Sequence, residues 1–66
     1  MKQNPITISA VKYKKYGGWV GYVRIWHNGE PVYSESCQIL RSYKNDALKD
    51  AKFEKEYMLS TGKNLF

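Results

Sequence analysis

Apolar and polar positions follow two different rhythms along this chain, with the change near Ser42. Before it, Ile, Val, Tyr and Trp dominate, the residues that suit a pleated and half-buried surface. Two glycine-bearing turns interrupt this part. His27-Asn28-Gly29-Glu30 carries the Asn-Gly pair that readily adopts the positive φ angles of a type I′ hairpin turn, and Tyr16-Gly17-Gly18 offers adjacent glycines. The pattern therefore predicts three antiparallel strands, at about residues 6–15, 19–27 and 31–40. After the break, "SYKNDALKDAKFEKEYMLSTG" is rich in helix formers and lacks Pro. Ala47, Leu48, Ala51, Met58 and Leu59 recur at helical spacing, with Ser42 or Asn45 as N-cap and Gly62 as a stop. This predicts a helix over about residues 43–60, whose two alanines let it lie close to a sheet, and a short tail over 61–66. The expected architecture is α+β, with residues 1–66 as one domain: a three-stranded antiparallel sheet packed on one face by a single C-terminal helix (β-β-β-α).

Alternation divides the second strand into two faces. Trp19, Gly21, Val23 and Ile25 point one way, and Val20, Tyr22, Arg24 and Trp26 the other. A two-residue Asn28-Gly29 loop places Val32 opposite Ile25, Tyr33 opposite Arg24, Glu35 opposite Tyr22 and Cys37 opposite Val20. For the first strand, a three-residue Tyr16-Gly17-Gly18 loop segregates charge best. It sets Val11 and Tyr13 with Trp19 and Val23, and Lys12 and Lys14 beside Tyr22 and Val20. Ile6, Ile8 and Ala10 then fall on the charged parity, so a bulge near Ala10-Val11 or a doubly covered strand start is expected. The expected core is Trp19, Val23, Ile25, Val32, Val11 and Tyr13; the expected open face is Lys12, Lys14, Tyr22, Arg24, Trp26, Tyr33 and Glu35.

Charge adds direction to this geometry. Eleven Lys and Arg against 6 Asp and Glu give a net charge of +5 over 66 residues, a balance that attracts polyanions. A chain this short has little room for a catalytic cleft, and no phosphate-binding glycine motif occurs, so no enzyme is expected. The single Cys37 excludes an internal disulfide and suits a reducing cytoplasm. Cys37 is expected to pack as a small apolar residue near Val20, and His27 to be a solvent-exposed strand end, so neither a metal nor a cofactor is expected. Asp46, Asp50, Glu54 and Glu56 pair along the helix with Lys49, Lys52 and Lys55. No run approaches the ~18 apolar residues of a membrane span, and the N-terminus lacks a signal-peptide stretch, so no membrane partner is expected.

Lys12, Lys14, Lys15, Tyr22, Arg24, Trp26 and Tyr33 form the expected nucleic-acid-binding set, with double-stranded DNA the expected partner. The alternative is a module or inhibitor acting on a host protein through Phe53, Tyr57, Leu65 and Phe66 or an exposed strand edge. Phe53 and Tyr57 lie off the apolar stripe; they either cover an edge strand and the tail, or form a surface for a partner or a weak homodimer.

The stretch from Lys14 to Ala51 resembles the N-terminal arm-binding domains of phage and transposon tyrosine integrases, relatives of plant AP2-type DNA-binding domains. The residues that carry this are the basic Lys14-Lys15 lead-in, Trp19 opening the second strand, the Asn28-Gly29 turn, and Ser42-Tyr43-Lys44-Asn45-Asp46-Ala47 entering the helix. The resemblance implies the same sheet-plus-helix fold and an open sheet face that enters the major groove. Integrases continue into core-binding and catalytic domains, whereas this sequence stops at Phe66. The resemblance therefore implies a stand-alone module, a fragment, or a relative turned to another partner.

Overall fold

Asn28 and Gly29 both take positive φ, 52° and 79°, and close a two-residue hairpin in which His27 pairs with Glu30. The computed structural model, which describes residues 2–66, builds on that turn a sheet of order β1-β2-β3. Its strands are β1 (Ile6–Tyr13), β2 (Gly18–His27) and β3 (Glu30–Ser36), and one helix follows, α1 (Lys44–Thr61). Every neighbouring pair of strands is antiparallel. The protein is thus a β-β-β-α fold of the α+β class.

Two local features set the strand registers, and both differ from expectation. The first is the turn between β1 and β2. It spans Lys14 to Gly17, because the Tyr13 carbonyl accepts the Gly17 N–H at 2.8 Å and Gly17 takes φ 67°. That one-turn closure ends β1 at Tyr13 and pairs Tyr13 with Gly18. Lys12 then faces Trp19, Ala10 faces Gly21, Ile8 faces Val23 and Ile6 faces Ile25. The parity is opposite to the expected one: Val11 and Tyr13 lie on the open face, while Lys12 joins the helix side. No bulge near Ala10 is needed, since the pairing runs unbroken from Ile6 to Tyr13.

The second feature is a bulge in β3. Trp26 pairs with Pro31 but Ile25 pairs with Tyr33, so Val32 is the extra residue. The slip moves Tyr33 and Glu35 to the helix side, opposite Ile25 and Val23, and leaves Val32 51% exposed instead of in the core. Cys37 donates its N–H to the Gly21 carbonyl at 2.8 Å and packs against the core under α1, away from Val20. β3 ends at Ser36 because Gln38 takes φ 58°, which breaks the extended chain. Where β3 has stopped, Arg41 becomes the partner of Trp19, with N–H to carbonyl bonds of 2.7 and 2.8 Å.

The core lies between α1 and the β1–β2 half of the sheet: Ile6, Val23, Ile25, Ala51 and Met58. Full burial of Val23, Ile25 and Met58 contributes about 1.5–3 kcal/mol apiece. Trp19 is only half-buried, at the end of this core where α1 begins. Ala47 and Ala51 are fully buried, and they face Gly21. A Cβ added to Gly21 would strike the Ala47 carbonyl oxygen and lie 3.1 Å from the Ala51 Cβ. Helix and sheet therefore touch backbone to backbone at this point. Neither expected N-cap is used: Tyr43 caps α1 in an extended conformation without a side-chain bond. Gly62 does end it, at φ 74°, with its N–H on the Met58 carbonyl.

The tail pairs with the N-terminal segment. Gln3 bridges Leu65, and the two asparagines Asn4 and Asn64 are buried as a reciprocal clasp. The Asn64 amide donates to the Asn4 carbonyl at 3.1 Å, and the Asn4 amide donates to the Asn64 carbonyl at 3.0 Å. With the Asn4 amide nitrogen so engaged, its Oδ1 accepts from His27 Nδ1 at 2.8 Å. His27 also lies 5.2 Å from the Phe66 ring, so it is half-buried in the clasp and not a free strand end.

The contact at Gly21 gives the first prediction. Gly21→Ala should destabilise by about 1–3 kcal/mol through overpacking. In a thermal melt followed by circular dichroism this reads as a Tm lower by roughly 5–20 °C, at ~4–8 °C per kcal/mol. An unchanged Tm would show that the helix does not depend on this approach.

Arg41 gives the second. Its guanidinium binds the Asp50 carboxylate through two bonds of 2.8 and 2.9 Å and fastens the 37–43 segment to α1. These hydrogen bonds, with the charge behind them, hold the Asp50 pKa below its ordinary value and raise that of Arg41. The resulting stability is complete above the ordinary aspartate range and is lost as pH falls through the lowered folded value. Acid unfolding of Asp50→Asn should therefore be less steep than that of the parent below the ordinary aspartate pKa, a difference read from urea midpoints across that range.

Candidate nucleic-acid interface

Once the registers are set, the face of the sheet away from α1 follows. Thr7, Ser9, Val11 and Tyr13 come from β1, Val20, Tyr22, Arg24 and Trp26 from β2, and Ser34 and Ser36 from β3. Among the described residues no helix or strand packs over this face, and its strand positions hold no carboxylate. Glu35 has turned to the helix side with Tyr33, whose hydroxyl donates to it at 2.9 Å. Asp46, Asp50, Glu54 and Glu56 stand on α1, and Glu30 pairs with His27 beside the hairpin turn. Arg24 is exposed and central, between Thr7 and Ser34 in the register.

Hydrogen bonds within the face hold its rings in place. The Trp26 indole N–H donates to Thr7 Oγ1 at 2.8 Å, and the Tyr13 and Tyr22 hydroxyls lie 3.1 Å apart. That hydrogen bond to Tyr22 raises the Tyr13 pKa above its ordinary value, so the Tyr13 hydroxyl stays protonated near pH 7. Val20 is buried, although it lies on the open face, in a hollow it shares with Tyr13, Tyr16 and Leu40.

Of the seven expected binding residues, Tyr22, Arg24 and Trp26 share this face, and Lys14 and Lys15 occupy the turn at its end. Lys12 and Tyr33 do not, because each strand register differs from expectation by an odd number of residues. Lys12 instead lies with its ammonium 5.9 Å from the Trp19 ring centre, and Lys44 lies 5.6 Å from the same ring. Lysines thus gather at the end of the molecule that holds the β1–β2 turn and the start of α1. Tyr13, with the hydroxyls of Thr7, Ser9, Ser34 and Ser36, was missing from the expected set. The even-numbered spacing of Ile6, Ile8 and Ala10 was the available sign that β1 turns its odd residues outward.

The helix side holds the second candidate. Since α1 lies across β2 and β1, a groove remains beside β3, lined by Ile25, Val32, Tyr33, Lys63 and Phe66. Phe53 is 74% exposed, and Tyr57 carries the Lys63 ammonium 5.6 Å from its ring centre. Of the expected protein-binding set, Phe66 therefore lines the groove, Tyr57 neighbours it through Lys63, and Leu65 belongs to the tail bridge with Gln3.

Among the described residues no three His, Cys, Asp or Glu side chains are grouped to hold a metal ion, and no helix is long and apolar enough to cross a membrane. The comparisons with known proteins found no matching family model, no matching curated protein and no matching solved structure.

Burial raises the Cys37 pKa, and the nearby carboxylates Asp50, Glu54 and Glu35 raise it further. The thiolate, which is the reactive form, is suppressed. Cys37 should therefore react with a thiol reagent such as iodoacetamide at pH 8 more slowly than free cysteine, by about tenfold for each unit its pKa is raised. A rate at or above that of free cysteine would contradict this environment.

Proposed function

We propose that this protein is a non-catalytic module that binds double-stranded DNA through the open face of its sheet. The observation that carries the reading is the absence of any carboxylate among the described residues on that face, in a chain of net charge +5. Three strands at ~4.8 Å spacing span about 10 Å, which fits a major groove about 12 Å wide. Arg24 is placed to donate to a guanine edge, while Lys14 and Lys15 at the end of the face meet phosphates. Tyr22 and Trp26 offer rings to sugars and thymine methyl groups. The resemblance to integrase arm-binding domains supports the same use of an open sheet, and with it an origin in a phage or mobile element. The lone thiol of Cys37 fits work in a reducing cytoplasm. A module with so few phosphate contacts binds weakly alone and gains useful affinity from a second copy or a tethered partner.

A second reading rests on the 74% exposure of Phe53 on α1 and on the apolar groove at β3: a host protein, or a second copy of this chain, docks on the helix side. Because this surface is on the opposite side of the sheet, the two readings separate in one experiment.

In an NMR titration with random-sequence duplex DNA at low salt, amide shifts should concentrate on Tyr22, Arg24, Trp26, Lys14 and Lys15. They should fade at high salt as counterion release loses its force. Arg24→Ala should weaken binding about tenfold, within the ~1–3 kcal/mol of a good base contact. Shifts confined to Phe53, Tyr57 and Phe66, or none at low salt, would refute the DNA reading.

A further inference from the structure

At the end of the open face nearest the 14–17 turn, a hollow of about 430 Å³ is bounded by Tyr13, Tyr16, Val20, Ser36, Gln38 and Leu40. Its composition narrows what it can hold. Val20 and Leu40 make part of its lining apolar, and Tyr13 and Tyr16 supply aromatic rings, the groups on which something flat can stack. Ser36 and Gln38 add a hydroxyl and an amide, which can both donate and accept hydrogen bonds. Gln38 reaches this place in the left-handed region at φ 58°, a conformation that costs a non-glycine residue energy, and its side chain lines the hollow. No carboxylate lines it, so it offers no counter-charge to a cationic ligand. Lys14 and Lys15 are in the adjoining turn, with the Lys15 ammonium 5.6 Å from the Tyr16 ring centre. A flat, partly polar group tethered to an anion satisfies all of these features together.

We propose that this hollow receives one unstacked nucleobase of DNA whose duplex lies along the open face, with Lys14 and Lys15 on the phosphates beside it. The proposal rests on the DNA reading and adds a preference for duplexes with an unpaired nucleotide. Such a nucleotide is already out of the stack, so the cost of extrusion is small.

Fluorescence anisotropy with a labelled random-sequence duplex, and with the same duplex carrying one unpaired thymine, tests it. The bulged duplex should bind about tenfold more tightly, within the range of a single base stacked on an aromatic ring. Tyr16→Ala should remove that difference; Tyr16 is 68% exposed, so its loss leaves the core intact. Gln38→Gly, which relieves the backbone while removing the amide, should reduce the difference in a chain that keeps the parent's circular dichroism. Equal affinities for the two duplexes in the parent protein would overturn the base site while leaving duplex binding in place. So would a preference that survives both substitutions. Failure to bind either duplex at low salt would overturn the DNA reading and the base site with it.

Discussion

The structure depends on the approach of α1 to β2 at Gly21. With Ala47 and Ala51 above it, the helix backbone meets the sheet backbone where a single added Cβ would collide. Ala10 lies opposite Gly21 in β1, and Cys37 bonds to the Gly21 carbonyl from the other side, so small side chains continue across the sheet at this level. A chain of this size has few large apolar residues to fill a thick interior. Bringing the two layers close at small residues lets Ile6, Val23, Ile25 and Met58 complete the core on one side of that point. On the other side, Trp19 and its two lysines close the end.

Because that interface is thin, it cannot hide the remaining rings. Tyr13, Tyr22 and Trp26 are placed on the opposite face, where hydrogen bonds to one another and to Thr7 order them in place of burial. Tyr33 and Phe66 line the groove on the uncovered β3 side, Tyr57 neighbours it through Lys63, and Phe53 stands exposed on α1. The abundance of aromatic residues therefore has two outlets on two faces, and they differ in charge. Carboxylates stand near the β3 side, with Glu35 bonded to Tyr33 and Glu54 close enough to act on its hydroxyl, whereas the open face carries Arg24.

The parts of this fold that could be read from sequence are those decided within a few residues. Asn28-Gly29 specifies its turn because both positions need positive φ, and Gly62 stops the helix for the same reason. The alanine stripe fixes which face of α1 is buried. Registers were harder, because each depends on one residue whose conformation is set by contacts distant in sequence. Gly17 and Gly18 look interchangeable as turn residues, yet only Gly17 takes positive φ. Gly18 is needed for space, since a Cβ there would lie 2.6 Å from Leu40 and 2.9 Å from the Arg41 carbonyl. Segregation of charge misjudged Lys12 because a lysine needs no charged face: it can lay its stem on the helix side and rest its ammonium over Trp19. The bulge at Val32 left no local sign beyond Pro31, which cannot donate to a ladder. The Asn4–Asn64 clasp joins positions 60 apart that read separately as ordinary surface amides.

These ties have a consequence for binding. The sheet is fixed at the tail end by the buried asparagines and at the turn end by the paired backbones of Trp19 and Arg41, with the Gly21 contact between them. A sheet held from one side at three places keeps its other face in a single shape without a covering layer. The rings on that face are already oriented before any ligand arrives, so little ordering entropy remains to be lost on association. Under the proposed DNA reading, that preorganisation would offset the small number of cations on the face itself, Arg24 with Lys14 and Lys15 at its end. It also explains why the strained backbone at Gln38 can persist: the Cys37–Gly21 bond on one side and the Arg41–Trp19 pair on the other hold it from both ends.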